Sequence, residues 1–331
     1  GLDLVHKGSG PTFADIDGDD DLDLFIGAVE GDRYYLLENR AGTFVDVTDA
    51  SGIALAAANT FSGAFGDYDR DGDVDLALTH WGNPERDDTE TLWRNRGDGT
   101  FESASEVSRI AQSLIESSDP IELQIRAPAS LLDNSFTPNF SDLDADGDLD
   151  LLIASDFRTS QVYSNDGDGT FTRTTDRQVI KDQAGMGAAV ADYDNDGDMD
   201  WFVTSIYKIG DGPSDLIGYG NRLYANDGSG TFTDVTDTAR VANGGWAWGS
   251  CFADFDNDGL QDIVHVNGWR EESDEPDNNY VDDQIRLFRS EGDGTFTEGA
   301  TSAGLTDRGQ GRGIACFDAD RDGDLDIVVT N

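Results

Sequence analysis

Six times this chain runs through alternating aspartates, and five of the six runs share the frame Asp-x-Asp-x-Asp-Gly-x-x-Asp. They are Asp67 to Asp75, Asp142 to Asp150, Asp192 to Asp200, Asp254 to Asp262 and Asp318 to Asp326; the sixth, Asp15 to Asp23, has Asp20 in the glycine's place. Carboxylates held this close repel, and some would stay protonated unless a cation shared them. A hard divalent ion such as Ca²⁺, which takes about six to eight oxygens in a flexible shell, removes that conflict.

The spacing assigns roles within each run. Positions one, three and five can converge if the chain curls, and glycine at position six allows the turn. These ligands are Asp15, Asp17, Asp19; Asp67, Asp69, Asp71; Asp142, Asp144, Asp146; Asp192, Asp194, Asp196; Asp254, Asp256, Asp258; and Asp318, Asp320, Asp322. Position nine closes the shell with Asp23, Asp75, Asp150, Asp200, Asp262 or Asp326. Position seven is expected to offer its backbone carbonyl: Asp21, Asp73, Asp148, Asp198, Leu260 and Asp324, where leucine has no ligating side chain. About six Ca²⁺ ions are therefore expected. The pattern is not an EF-hand, which needs Glu at position twelve; here that position holds Ile26, Leu78, Ile153, Val203, His265 or Val329. Solvated acidic turns without metal are the alternative.

The runs begin at 15, 67, 142, 192, 254 and 318. Periods of this size, with short apolar strands and Gly-rich turns, indicate an all-β propeller with one four-stranded sheet per blade. Each repeat reads as a strand before the loop, a second after it, and a third with an apolar-aromatic pair such as Leu92-Trp93 or Leu223-Tyr224. A Gly turn then leads to Thr-Phe and a fourth strand. Six blades are expected, with seven the alternative. The 331 residues form one propeller domain with a loop or short-helix insertion near 103–138, the helix over Ser105 to Ser117. Arg96-Gly97-Asp98 spells an integrin-binding tripeptide, but it occupies the turn that reads NDGDGTF at Asn165 and NDGSGTF at Asn226, so a hairpin is the simpler reading.

The aspartate loops, the GDGTF turns, the TFTDVTD stretch at Thr231 and the GWAWGSCFADFDNDG stretch at Gly245 together resemble FG-GAP/VCBS-type repeats. More narrowly they are similar to the cartilage-acidic-protein-like family of secreted propellers, and integrin α-subunit heads share the loop. The resemblance covers essentially the whole chain and implies calcium and a propeller fold. It is a poor guide to ligand. Members of the narrower family usually carry a further C-terminal domain, and no activity of that domain is implied for these residues.

A formal charge of −46 argues against nucleic acid and anionic membranes as partners and favours cationic or neutral ones. No apolar run is long enough for a membrane span, and no signal peptide is visible. Extracellular calcium modules bind at about 10⁻⁴ to 10⁻³ M, so such loops fill outside cells, which places the protein there or at the cell surface. Cys251 and Cys316 occupy equivalent strands with registers one residue apart, which points them to opposite faces and favours buried free thiols over a disulfide.

The long connections Ser205 to Gly220, Asn267 to Asp283 and Ser103 to Pro138 should gather opposite the loops. Aromatic residues follow the second strands there: Trp81, Phe157, Tyr207 and Trp269. Six residues before each run stand Ser9, Phe61, Phe136, Met186, Trp248 and Arg312, expected around the channel mouth. Trp81, Phe157, Tyr207, Trp248, Trp269 and Arg312 are thus candidates for a ligand face, although propellers also fill that space by packing. The partner would be a protein, a glycan or copies of the chain itself. The histidines His6, His80 and His265 share no repeat position, and no hydrolase or nucleotide motif appears. A non-catalytic binding, adhesion or assembly module is the first reading. A polysaccharide lyase or hydrolase using His80, Tyr207, His265 or Arg270 is the second. The last repeat stops after its second strand, so residues 1–6 are expected to add a strand to its blade, and the open edge could pair with another copy.

Overall fold

A computed structural model describes residues 4–55, 59–84, 91–110, 132–207, 219–269 and 280–331. The chain is all-β, built of antiparallel sheets, and divides into two compact units. The first comprises Gly1–Asp142, Asp146–Ser155 and Gln161–Thr175; the second comprises Leu143–Ala145, Asp156–Ser160 and Asp176–Asn331.

In the first unit β1 (Gly8–Ala14), β2 (Asp23–Ala28), β3 (Tyr35–Arg40) and β4 (Thr43–Asp46) form a four-stranded meander. The next sheet has eight strands: β5 (Thr60–Gly66), β6 (Asp75–Pro84), β7 (Leu92–Asn95), β8 (Phe101–Ser103), β9 (Leu132–Ser141), β10 (Asp150–Ser155), β11 (Gln161–Asn165) and β12 (Phe171–Arg173). It is two meanders joined because the far end of β6 pairs with the start of β9, Trp81 opposite Asn134 and Pro84 opposite Leu132. The second unit has the meander β13 (Ala188–Ala191), β14 (Asp200–Val203), β15 (Arg222–Asn226) and β16 (Phe232–Asp234). A second meander follows, β17 (Ala247–Ala253), β18 (Asp262–Asn267), β19 (Arg286–Ser290) and β20 (Phe296–Glu298), then the pair β21 (Gly313–Phe317) and β22 (Asp326–Thr330).

The core explains the strand composition. Second strands such as β10 and β18 are buried along their whole length; in β18, Ile263 packs into one core cluster and Val264 and Val266, on the other face, into another. One core cluster joins Phe25 and Leu36 of the first sheet to Leu76, Leu78 and Trp93 of the next. Tyr68, Leu92, Leu151 and Tyr163 form another, and Phe202, Leu223, Ile263 and Phe288 a third. Position two of the aspartate runs contributes Ile16, Tyr68 and Tyr193 to these clusters, so each of those loops is anchored in apolar packing.

Three expectations are corrected. Cys251 and Cys316 form a disulfide with Cα atoms 6.6 Å apart. The one-residue offset was read as separating them. Neighbouring sheets stack face to face, however, so a thiol on one face of β17 meets a thiol on the opposite face of β21; both pack against the cluster of Val264, Leu287, Ile327 and Val329. Of the strand expected from residues 1–6, residues 4–6 form none, and Lys7 N–H donates to Asp32 while its carbonyl accepts from Val29, which ties the segment to the β2–β3 turn; residues 1–3 lie outside the described residues. The helix expected over Ser105 to Ser117 does not begin at Ser105: Ser105–Ser108 is a turn with Val107 exposed, whereas Ile110 is helical and buried; residues 111–117 lie outside the described residues. No helix among the described residues is long and apolar enough to cross a membrane.

Candidate metal centres and the opposite sheet ends

Every aspartate run joins the first strand of a repeat to its second, at one end of each sheet. The six loops share one hydrogen-bond plan. The position-six N–H donates to Oδ2 of the first aspartate: Asp20 to Asp15 at 2.9 Å, Gly72 to Asp67 at 3.0 Å, Gly147 to Asp142 at 3.1 Å, Gly197 to Asp192 at 3.0 Å, Gly259 to Asp254 at 2.8 Å and Gly323 to Asp318 at 3.1 Å. The position-seven N–H donates to the fifth residue's carboxylate, as from Asp21 to Asp19, Asp73 to Asp71, Asp148 to Asp146, Asp198 to Asp196, Leu260 to Asp258 and Asp324 to Asp322.

The backbone is left-handed at positions four and six, with φ of 59° at Arg70 and 96° at Gly72. This explains the run without a central glycine. It carries Gly18 at position four, while Asp20 adopts φ 69° at position six, and aspartate tolerates that region better than most residues.

Among the described residues, carboxylate groups within one unit whose ligand atoms lie mutually inside 4.8 Å include Asp15, Asp17, Asp19; Asp67, Asp69, Asp71; Asp192, Asp194, Asp200; and Asp254, Asp256, Asp258. Residues of these runs that keep a buried oxygen no hydrogen bond satisfies include Asp17 Oδ1, Asp67 Oδ1, Asp142 Oδ1 and Asp262 Oδ2. Buried carboxylate oxygens without a donor are costly, and the donor set is all oxygen, the chemistry of a hard cation. The residues present fit a divalent ion. Burial, with neighbouring carboxylates adding to it, pushes the acids of Asp17, Asp69 and Asp194 upward.

Position nine is a bracket as well as a candidate ligand. Asp75 is buried and accepts the N–H of Tyr68 at 3.2 Å and of Asn95 at 2.8 Å; Asp23 does the same for Ile16 and Asn39, and Asp200 for Tyr193 and Asn226. Asp150 accepts from Asn165, Asp262 from Ser290 and Asp326 from Ala319. Burial outweighs these amides and raises Asp75 to about 8 and Asp200 to about 7.

Position-seven side chains turn elsewhere. A Cβ on Gly97 would come within 2.5 Å of Asp73, one on Gly167 within 2.7 Å of Asp148, and one on Gly228 within 2.6 Å of Asp198. Leu260 faces Gly292 in the same way. These side chains cover the β-turn between the third and fourth strands, which is why leucine serves there. In that turn Asp98 accepts from Thr100 N–H and Oγ1, as Asp168 does from Thr170, so Arg96-Gly97-Asp98 is a hairpin.

The other sheet ends carry the aromatic candidates. In the second unit Trp248, Trp269 and Arg312 come together: the guanidinium lies 4.2 Å from the Trp248 ring and 5.6 Å from that of Trp269, and the two indoles stack at 6.0 Å. Two residues that sequence reasoning did not single out complete the group. Trp246 stacks on Trp269 at 5.1 Å, and Tyr280 meets Trp246 edge-on while donating to the Tyr207 carbonyl. Trp246 differs from Trp248 by two positions, so a period-two reading of the strand start would have found it. Phe157 stands apart, 44% exposed with φ 54°. In the first unit Trp81 packs against Phe136, which meets Phe61 edge-on at 4.9 Å, and Ser9 donates to the Phe61 carbonyl. Met186 is buried.

His80 is buried in β6 beside Thr60. His265 is buried in β18 between Asn221 and Asn267, and burial, helped by Arg286, pulls it down to about 3. Arg270 lies outside the described residues.

Comparison with known proteins agrees with this geometry. Human cartilage acidic protein 1 is 54% identical over 46 residues, and the mouse protein 52% over the same length. Each match spans 14% of this chain and 7% of the relative. A solved structure of an Agrocybe aegerita lectin, described as recognising non-reducing terminal N-acetylglucosamine, aligns at a TM-score of 0.51 and 18% identity, covering 98% of this chain and 75% of the lectin. A family model for FG-GAP-like repeats matches residues 15–78, 142–203, 210–265 and 278–329, well over half of the chain. With its loops in the same place in every repeat, the chain belongs to the FG-GAP-like repeat family.

Proposed function

We propose that this chain is an extracellular, non-catalytic calcium-binding β-propeller domain of six blades, with an insertion near 103–138, that serves adhesion, ligand binding or assembly. The observation that carries the calcium reading is the set of buried, donorless oxygens on Asp17, Asp67 and Asp142 inside loops of one geometry. Calcium would be held by the carboxylates of positions one, three, five and nine and the carbonyl of position seven, about six ions in all. The ion supplies the positive charge that lets neighbouring carboxylates stay ionised together. Extracellular calcium levels suit such loops, and a disulfide suits an oxidising compartment.

Binding at the opposite sheet ends is supported by the indole stack with the Arg312 guanidinium against it, which offers aromatic surface to a protein or glycan partner. The non-catalytic reading is supported by His80 and His265, both built into strands, the second held neutral. Equilibrium dialysis against radioactive calcium tests the first claim: close to six ions per chain is expected, and no saturable binding would overturn it. A carbohydrate-active enzyme is the second reading, favoured by the same indoles because aromatic rings stack on sugars. Turnover on a glycan panel, with and without chelator, separates the two.

A further inference from the structure

The third strand ends on asparagine in four repeats: Asn39, Asn95, Asn165 and Asn226. Each backbone N–H donates to the ninth-position aspartate of its own loop, at 2.7, 2.8, 2.7 and 2.9 Å respectively. Each side-chain Nδ2 donates to the position-eight carbonyl of the same loop: Leu22 at 3.1 Å, Val74 at 3.1 Å, Leu149 at 3.0 Å and Met199 at 3.2 Å. In the last three repeats the same nitrogen also reaches back to the preceding loop. Asn95 donates to Ile16 O at 2.9 Å, Asn165 to Tyr68 O at 2.8 Å and Asn226 to Leu143 O at 2.7 Å. An amide nitrogen has two hydrogens, so both bonds form at once. All three side chains are buried.

The carbonyl that receives this bond belongs to position two, between the aspartates of positions one and three. In the first two loops the N–H of that residue donates to the ninth aspartate. Any movement of position two therefore displaces candidate ligands on either side of it. A second thread runs the same way, from position four to the next loop: Arg70 pairs with Asp148 at 2.6 Å, and Asn257 donates to Asp324 at 2.8 Å.

We infer that Asn95, Asn165 and Asn226 are positioning residues that couple the calcium sites of successive repeats, so that filling one loop raises the affinity of the next. The inference rests on the calcium reading above. The coupling is interrupted at the fifth repeat, where Ser290 stands in the asparagine's place and its hydroxyl faces Gly292 N–H. Asparagine here does for two loops what a bound ion does within one: it fixes the carbonyls that frame the carboxylates.

Isothermal calcium titration of the whole chain tests this with Asn165→Ala and Ser290→Asn, each also melted in chelator. The wild type should bind with a steeper than independent isotherm. Asn165→Ala should flatten it and weaken two sites about fivefold or more, the lower range of coupling energies, without changing the number of ions at saturation. Ser290→Asn, which adds an amide and removes no packing, should steepen the curve, and it decides the matter if the alanine variant fails to fold. Isotherms that superimpose on wild type would overturn the coupling. So would a uniform weakening of all sites that merely tracks lost stability in chelator. Absence of calcium binding by the wild type would instead overturn the metal reading on which the coupling stands.

Discussion

The two ends of each sheet differ in kind. At the loop end the six repeats reproduce the same two amide-to-carboxylate bonds and the same left-handed positions. At the other end the connections share little: a short turn at Glu30-Gly31, a turn through Phe157-Arg158, and the aromatic stack around Trp269. One end repeats because one chemistry is being solved six times. The other varies because packing alone constrains it, and a surface free to vary is where a partner can be specified.

Removing divalent ions breaks the comparison hardest, since it acts on one end only. Each filled site adds about 2.7 kcal/mol at a hundredfold ligand excess. Chelation should therefore lower Tm by about 10 °C or more, read by calorimetry. Cys251→Ser is next, and it acts on neither end. Losing a cross-link over 65 residues should cost about 2–4 kcal/mol, equally in calcium and in chelator, by denaturant titration.

The pH response sharpens the contrast. In chelator, burial raises Asp75 to about 8 and Asp200 to about 7, above the unfolded value of about 3.9. The folded state then binds more protons, so stability should fall as pH rises from about 4 to 8. In excess calcium the ionised form is the one held, and stability should instead fall as pH is lowered. Melting curves at several pH values with and without calcium read both slopes; a chelated protein that grows more stable toward pH 8 would refute the assignment.

The smallest effect belongs to the variable end. Phe157→Gly relieves a left-handed phenylalanine and should stabilise by about 1 kcal/mol in either condition. A loss of stability there would mean that the ring is packed rather than presented.

The loops and the strand order were legible in the sequence because both follow from short-range rules: alternate carboxylates, a turn glycine, apolar runs of strand length. The disulfide was missed because a single strand's register says which face a thiol takes but not which face the neighbouring sheet offers. The β6–β9 ladder was missed because the pairing depends on where a long connection returns. Asn165 and Asn226 were in plain view in the turn motif, where only the turn was read from them, and Asn95 holds the matching place before Arg96-Gly97-Asp98. Their second bond crosses to another repeat, and nothing local announces it.

The ladder between Trp81–Pro84 and Leu132–Asn134 has a consequence for how the first unit opens. Two repeats that would otherwise breathe separately share one continuous network of main-chain hydrogen bonds. Their amide protons should exchange with deuterium as one cooperative block, more slowly than those of the separate β1–β4 meander, so the fused pair forms the last stronghold of that unit during unfolding.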